Sequence, residues 1–214
     1  MKKIILLIMI FLVGCTNTSP VELLELNKNC PNVCWLGVQT GVTSDEEAYD
    51  ILRKSEYVDR KSIKWNKAPN EWYRDVISAQ WLTDPNVRRY KSVDVIIENN
   101  KVQSIWFKDL QPITVQELFS IFGSPAEVSV YFVPESPIGP HISYSLFYHD
   151  SKIIMHIWES KELSALSPYD IVHELILNQP VFDLSASAQK RYEDAQPWLG
   201  YGDLELYLPR EEIP

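Results

Sequence analysis

Residues 93–107 read VDVIIENNKVQSIWF, and they carry the strongest local prediction in the chain. Two runs rich in β-branched and aromatic residues, 93–97 and 102–107, flank a polar segment at 98–101. Such runs favour strands, and asparagine tolerates the positive φ that a tight turn requires. The stretch therefore predicts an antiparallel hairpin.

A second hairpin is predicted at residues 143–148 and 153–158, across a polar turn. A helix start precedes each hairpin, because Thr followed by Glu three residues later has the spacing of a capping box. The two pairs are Thr43 with Glu46 and Thr114 with Glu117. Apolar residues follow each pair at helical spacing, and Gly123 and Pro125 end the second predicted helix.

The recurrence of this layout predicts the fold class. The two copies begin about 70 residues apart, a period too long for a solenoid repeat. We expect an α+β fold with two tandem helix-plus-antiparallel-sheet units, residues 30–110 and 111–214, the second with a C-terminal extension. Residues 169–177 suit either a helix or an edge strand, and we expect a strand that completes the second sheet.

The repeated layout also resembles a known family. The residues that carry the likeness are Gly41, Val42, Thr43, Glu46, Ile51 and Leu52 in the first copy and Ile113, Thr114, Glu117, Leu118, Phe122, Gly123 and Pro125 in the second. They resemble the small outer-membrane lipoproteins called SmpA/OmlA or BamE, and more broadly the β-lactamase-inhibitor-protein-like (BLIP-like) fold. The chain is also similar to bacterial lipoproteins of unassigned function that contain Cys-Trp followed by Gly-Val-Thr. The resemblance implies protein binding at the envelope rather than catalysis.

The N-terminus predicts where the protein resides. Lys2 and Lys3 precede the apolar residues 4–13, which span about 15 Å as a helix, half the hydrocarbon thickness. Residues 1–14 are therefore expected to be a cleaved signal peptide. Leu-Val-Gly-Cys at 12–15 resembles the lipobox of bacterial lipoproteins, which implies acylation of Cys15 with chains such as palmitate. An ordinary signal peptide with an incidental cysteine is the alternative.

Lipidation implies attachment to a membrane of the bacterial cell envelope. Two or three acyl chains anchor a protein stably where one chain is marginal, and residues 15–29 would form the lipidated tether. Thr16 differs from the Asp that resembles an inner-membrane retention signal. An outer-membrane position facing the periplasm is expected in a two-membrane bacterium, and the outer surface of the cell membrane in a one-membrane bacterium.

Composition predicts a folded, acidic body. Apolar residues make up 45% of the chain and seven residues are tryptophan, so a hydrophobic core is expected rather than disorder. Loss of Lys2 and Lys3 leaves 18 basic residues against 29 acidic ones, a net charge of −11. Because the body is acidic and has no basic run, we do not expect it to bind nucleic acid.

Cys30 and Cys34 are the cysteines that remain if Cys15 is lipidated. An even pair in an oxidising compartment favours a disulfide, and the CPNVC segment can close if it turns tightly. Free thiols and a metal site are the alternatives. Two cysteines without neighbouring histidines make a weak metal site.

The sequence predicts neither catalytic residues, nor a metal, nor a cofactor. Its histidines are His141, His149, His156 and His173. His149 and His156 lie near the ends of one hairpin, but a metal site needs three or four convergent ligands. Gly123-Ser124-Pro125 indicates a helix stop rather than a nucleophile elbow.

Aromatic residues are the remaining functional candidates. Most lie on predicted strands, where core packing and cross-strand pairing explain them. The alternative is a sheet face that anchors a protein partner, with Trp72, Trp81 and Trp106 in an exposed patch. We therefore predict a lipid-anchored, non-enzymatic envelope protein that binds another protein through a sheet face. Two alternatives are an enzyme or small-ligand-binding lipoprotein with a site between the units, and an inhibitor of a cell-wall or secreted hydrolase.

Overall fold

Strands dominate the structure, which is a computed structural model. It describes residues 34–67, 75–82, 90–108, 110, 113–133, 141–148, 153–160, 165–178, 193–203 and 207. The strands are β1 (Cys34–Trp35), β2 (Val38–Gln39), β3 (Lys64–Asn66), β4 (Asp75–Leu82), β5 (Tyr90–Glu98), β6 (Lys101–Lys108), β7 (Glu127–Val133), β8 (His141–Tyr148), β9 (Ile153–Ser160), β10 (Ala165–Leu166), β11 (Glu174–Asn178), β12 (Gln196–Pro197) and β13 (Gly202–Asp203). The helices in these ranges are α1 (Asp45–Lys54) and α2 (Val115–Phe122).

Most of the strands belong to one antiparallel sheet. Its order across the described residues is β12-β7-β8-β9-β11-β6-β5-β4-β3. Two small antiparallel pairs, β1 with β2 and β10 with β13, lie outside this sheet. The runs β4-β5-β6 and β7-β8-β9 follow chain order, so local hairpins build most of the sheet.

The predicted α+β class with two helix-plus-sheet units is wrong, because the protein is mostly β. The helices have ten and eight residues, and the strands of both halves enter one nine-stranded sheet of the described chain. Capping and hairpin signals are local, whereas the pairing partners of a strand depend on tertiary context. The sequence pattern therefore located the short helices but overstated their share of the fold. The domain boundary at 110/111 stays a prediction.

The ambiguous segment at 169–177 contains the strand that joins the two halves. β11 pairs with β6 on one side and with β9 on the other. Leu175 and Leu177 are buried on one face of the sheet and Ile176 on the opposite face. A strand buried on both faces has a continuous apolar run instead of alternating apolar and polar residues. The sequence of this segment therefore suited a helix as well as a strand. The expected strand is present, but it is central and not an edge.

One hydrophobic core connects both helices to the sheet. Ala48 and Leu52 lie one turn apart on α1, and they are buried together with Leu118 of α2. The same cluster contains the inward residues of the sheet, including Ile105 and Met155. Burial of these apolar side chains, at roughly 1.5–3 kcal/mol each, is the main stabilisation that a short helix gains in a protein.

Both predicted hairpins are confirmed. Asn99 and Asn100 have φ of 51° and 59°, as the two central residues of a hairpin turn require, and they connect β5 to β6. β8 and β9 form the second hairpin, with each strand slightly longer than predicted.

The helix starts agree with the prediction at α2 and differ from it at α1. Thr114 accepts a bond from the Glu117 N–H at 3.3 Å, and the Glu117 carboxylate accepts one from the Thr114 N–H at 2.7 Å. At α1 the cap is Ser44, which accepts from the Glu47 N–H at 3.2 Å. Thr43 is instead buried, and its hydroxyl accepts from the Gln39 N–H at 2.8 Å.

Several predictions fall outside the described residues. These are the signal peptide at 1–14, the tether at 15–29 with Cys15, and the sites Cys30, Trp72 and His149. Cys34 is disulfide-bonded, but its partner also lies outside these ranges, so the pairing of Cys30 with Cys34 stays a prediction. In the described ranges, neither helix has the length and apolarity needed to traverse a bilayer.

Candidate binding surfaces

The two predicted tryptophans that can be placed lie on opposite faces of the sheet. Trp81 is fully buried in the core, where its ring meets Trp35 and Phe107 edge to face at 6.0 and 5.5 Å. Trp106 is half-buried on the other face, beside Ile176. Side chains alternate between faces along a strand, so strand register separates the two rings. Trp81 therefore presents no surface to a partner, and the expected patch of both residues is not formed.

Polar side chains occupy part of the face of the sheet opposite the core. The Ser145 hydroxyl lies 2.7 Å from Nδ1 of His156, and Glu174 is opposite His156 in register. The series Ser145, His156 and Glu174 superficially resembles the nucleophile, base and orienting carboxylate of a catalytic triad. Ser145 has no exposed surface, however, so a substrate cannot reach its hydroxyl. The pair instead links β8 to β9.

Metal ligands do not converge in the part of the chain that the structure describes. No three His, Cys, Asp or Glu side chains there are grouped so that they could hold an ion. His141 and His156 lie on neighbouring strands but not opposite each other, because His141 pairs with Ser160 and His156 with Ser145.

Exposed apolar side chains lie on two loops that contact α2: Tyr169 on the loop bonded to its first turn, and Leu199 and Tyr201 on the loop beside Phe119. We call this surface the α2 patch; it consists of Tyr169, Leu199 and Tyr201, which are 78%, 73% and 42% exposed. Tyr201 stacks on Phe119 of α2, with ring centroids 5.5 Å apart. Single exposed apolar residues are common on proteins, whereas a group of them indicates an interaction site.

The loop that carries Leu199 and Tyr201 is held by buried contacts. The Tyr207 hydroxyl accepts from the Leu199 N–H at 2.9 Å and donates to the Gly200 carbonyl at 3.1 Å. The Trp198 ring stacks on the Tyr207 ring, with centroids 6.3 Å apart. The Trp198 backbone N–H donates to the Ala126 carbonyl at 3.0 Å. Gly200 has φ of +106°, which a side chain would strain. The loop is therefore organised while its apolar side chains face solvent.

A second loop, which carries Tyr169, is bonded to the first turn of α2. The Val115 and Gln116 N–H groups donate to the carbonyls of Asp170 and Pro168, both at 2.9 Å. These donors have no partner inside the helix, so the loop satisfies them. The Asp170 carboxylate accepts from the Ser167 N–H at 2.8 Å and from the Tyr144 hydroxyl. Tyr169 projects from this fixed segment.

The electrostatics of the patch favour neutral tyrosines. Partial burial, and then the nearby Asp170 carboxylate, raise the pKa of Tyr201 above its ordinary value. Burial, and then the charge of Tyr201, raise the pKa of Tyr148 beneath it. Both phenols are therefore protonated at physiological pH, and the patch presents apolar rings with hydrogen-bonding hydroxyls.

A second surface is an open groove between α1 and β3, with a volume of about 670 Å³. We call it the α1 groove. Its lining includes Glu46, Glu47, Tyr49, Asp50, Lys54 and Trp65. β3 is the edge strand, and Trp65 pairs with Ile77 of β4, which directs the Trp65 ring towards the helix. The Trp65 and Tyr49 rings meet at 5.3 Å.

Comparison of the chain with protein-family models, with curated proteins and with solved structures found no match. The resemblance to BamE-like and BLIP-like proteins therefore remains a hypothesis based on short motifs.

Sequence reasoning missed Tyr169 and Leu199 as surface candidates. Leu199 precedes Gly200, and glycine favours a turn, whose residues project side chains into solvent. Tyr169 follows a Ser-Pro pair that also favours a turn. The signal that could have identified both as surface residues is an apolar residue at the tip of a turn.

Proposed function

We propose that the chain is a lipid-anchored, non-enzymatic protein of a bacterial envelope that binds another protein through the α2 patch. The observation that carries the proposal is the exposure of Tyr169, Leu199 and Tyr201 on two loops held by partly buried hydrogen bonds. Large aromatic and apolar side chains are favoured anchors in protein interfaces. An organised loop also loses less conformational entropy on binding than a free one.

The position of the patch changes the sheet-face hypothesis. Around Trp106, the face opposite the core carries Phe147, Ile154 and Ile176, each at most 6% exposed. Buried side chains cannot contact a partner without rearrangement. The α2 patch offers exposed rings in its place, so we assign the docking role to α2 and its neighbouring loops.

The anchoring part of the proposal is supported by the Leu-Val-Gly-Cys motif at 12–15 and the charged, apolar segment before it. The acidic body gains no attraction to an anionic membrane, so acyl chains on Cys15 would supply the attachment. In cells, Cys15→Ser should abolish incorporation of a palmitate analogue and release the protein from membranes. Persistent labelling of the Cys15→Ser variant would contradict lipid attachment at this residue.

Site-specific photocrosslinking in native envelopes tests the docking role. We expect a crosslinker placed at residue 199 to form one dominant covalent adduct. The same crosslinker at Val42, which is 55% exposed and outside the patch, serves as the matched control and should give none. Equal adducts from both positions would indicate nonspecific contact and contradict the proposal.

Side-chain truncation provides the second arm of this test. Tyr169→Ala and Leu199→Ala remove exposed side chains that the core does not need, so the free energy of unfolding should change by less than about 0.5 kcal/mol. Together they should weaken capture of the crosslinked partner at least tenfold, since truncation of a hot-spot residue costs about 2 kcal/mol or more. Val42→Ala should have no effect. Full capture by the double variant would rule out the α2 patch as the docking surface.

A further inference from the structure

The α1 groove is separate from the α2 patch, and its chemistry indicates a different kind of contact. We propose that this groove binds an arginine side chain of a partner protein. The inference does not depend on the proposed function of the α2 patch, because it uses residues of α1 and β3. Either surface can therefore fail its test without affecting the other.

The shape of the groove suits a flat cation. The Tyr49 and Trp65 rings lie 5.3 Å apart with an interplanar angle of 37°, which forms an aromatic wall. A guanidinium group is planar and weakly hydrated, so it stacks on such rings better than an ammonium group does. Aromatic walls attract cations through the negative face of the ring.

The charge of the groove is complementary to that of arginine. Its lining holds three carboxylates, Glu46, Glu47 and Asp50, against one ammonium, Lys54. Lys54 lies 3.6 Å from Asp50, and both side chains are mostly exposed, so this ion pair is weak. Glu46 and Glu47 make no ion pair within the described part of the chain. Two carboxylates therefore remain to accept hydrogen bonds from a guanidinium.

Position in the helix accounts for acidic residues at these two sites but not for the aromatic rings beside them. Glu46 and Glu47 lie in the first turn of α1, where the helix dipole stabilises negative charge. That effect needs no aromatic wall. The coincidence of a wall, a groove and unpaired carboxylates is what favours recognition of a cation.

The rings already attract cations of the chain itself. The Lys67 ammonium lies 4.8 Å from the centre of the Trp65 ring, and the Arg53 guanidinium lies 5.7 Å from the centre of the Tyr49 ring. Both cationic residues are exposed. Lys67 and Arg53 thus each cover part of a ring without lining the groove, and removal of the Lys67 charge should make the groove a better site for an arginine from outside.

A titration with a short peptide tests the proposal. The full-length chain, purified in a nonionic detergent and labelled with 5-fluorotryptophan, is titrated with acetyl-Gly-Arg-Gly-amide while ¹⁹F spectra are recorded. The Trp65 signal is assigned from Trp65→Phe. We expect a saturable shift of this signal with a Kd of about 1–10 mM, as a few exposed charge and ring contacts provide. The peptide with citrulline in place of arginine has the same shape without the charge, and should not shift the signal.

Variants with opposite expected effects make the test independent of folding. Glu46→Gln or Glu47→Gln should raise the Kd about threefold, whereas Lys67→Gln should lower it by a similar factor. Glu56→Gln removes an exposed carboxylate outside the groove and should leave the Kd unchanged. No saturable shift, an equal shift with the citrulline peptide, or weaker binding by Lys67→Gln would each overturn the proposal. A misfolded variant could not mimic the gain in affinity.

Discussion

Tyr148 shows how a single hydroxyl can work against stability. Its side chain is almost fully buried, and its hydroxyl has no hydrogen-bond partner among the residues that the structure describes. The ring packs against Phe119 and Phe122, with centroids at 6.2 and 6.0 Å. An unpaired buried polar group costs about 1–3 kcal/mol, so the ring contributes stability while the hydroxyl reduces it.

Tyr148→Phe should therefore increase stability and remove part of its pH dependence. At pH 8 we expect the free energy of unfolding to rise by up to about 1 kcal/mol, since the substitution keeps the ring and removes the unpaired group. Burial raises the pKa of Tyr148 in the native state above the ordinary value of 10.0. Above pH 10 the unfolded chain loses a proton that the native chain retains, so stability falls by up to about 1.4 kcal/mol per pH unit.

Urea unfolding at pH 8 and pH 11 measures both effects of Tyr148→Phe. The unsubstituted protein should lose stability from pH 8 to pH 11, and Tyr148→Phe should lose less. Below pH 10 the phenol is protonated in both states and contributes no slope. The same alkaline loss in both proteins would show that Tyr148 is not responsible for it.

At the scale of elements, the two helices differ in how they begin. α2 has a reciprocal capping box between Thr114 and Glu117. At α1, Ser44 accepts from the Glu47 N–H without a reciprocal bond, and the Asp45 carboxylate accepts from the Glu46 N–H at 2.8 Å. Because α2 has only eight residues, its first turn is a large part of the element, and it also supports the loop that carries Tyr169. Its cap should therefore matter more than the cap of α1.

Thr114→Ala should lower the free energy of unfolding by about 1–2 kcal/mol, because the substitution leaves the Glu117 N–H without its acceptor and removes the hydroxyl bond to the Glu117 carboxylate. Ser44→Ala, which removes one bond instead of two, is the comparison and should cost about half as much. Ser124→Ala changes an exposed hydroxyl after α2 and should be neutral. Thermal unfolding followed by circular dichroism measures all three, and a larger loss for Ser44→Ala would contradict this ranking.

At the scale of the whole molecule, β11 makes one sheet out of two sets of hairpins. It forms registered pairs with both β6 and β9. Leu175 has no exposed surface and lies opposite Phe107 and Met155, one on each neighbouring strand. A destabilising substitution in β11 should therefore lower the stability of both halves of the sheet.

Leu175→Ala should cost about 2–4 kcal/mol, because it leaves a cavity in a packed core. The halves should still unfold in one transition, and amide hydrogen exchange should accelerate in β6 and in β9 together. Lys61→Ala, at an exposed position, is the control. Faster exchange confined to one of the two strands would show that the halves fold as separate units.

Local pattern was sufficient for the elements whose signals lie within a few residues. Asn99 and Asn100 allowed the β5–β6 hairpin to be predicted, because asparagine tolerates positive φ. Thr114 and Glu117 allowed α2 to be placed correctly, because a capping box satisfies donors that the helix itself leaves unpaired. Composition likewise predicted a folded, acidic body.

Contacts between distant parts of the chain decided the rest. The position of β11 between β6 and β9, and hence the mostly β fold, depends on pairing across more than sixty residues of sequence. Strand register put Trp81 in the core, and the hydrogen bond from the Leu199 N–H to the Tyr207 hydroxyl holds the loop that exposes Leu199 beside α2. Pairing, register and loop anchoring are tertiary properties, because each is set by residues that a local pattern does not include.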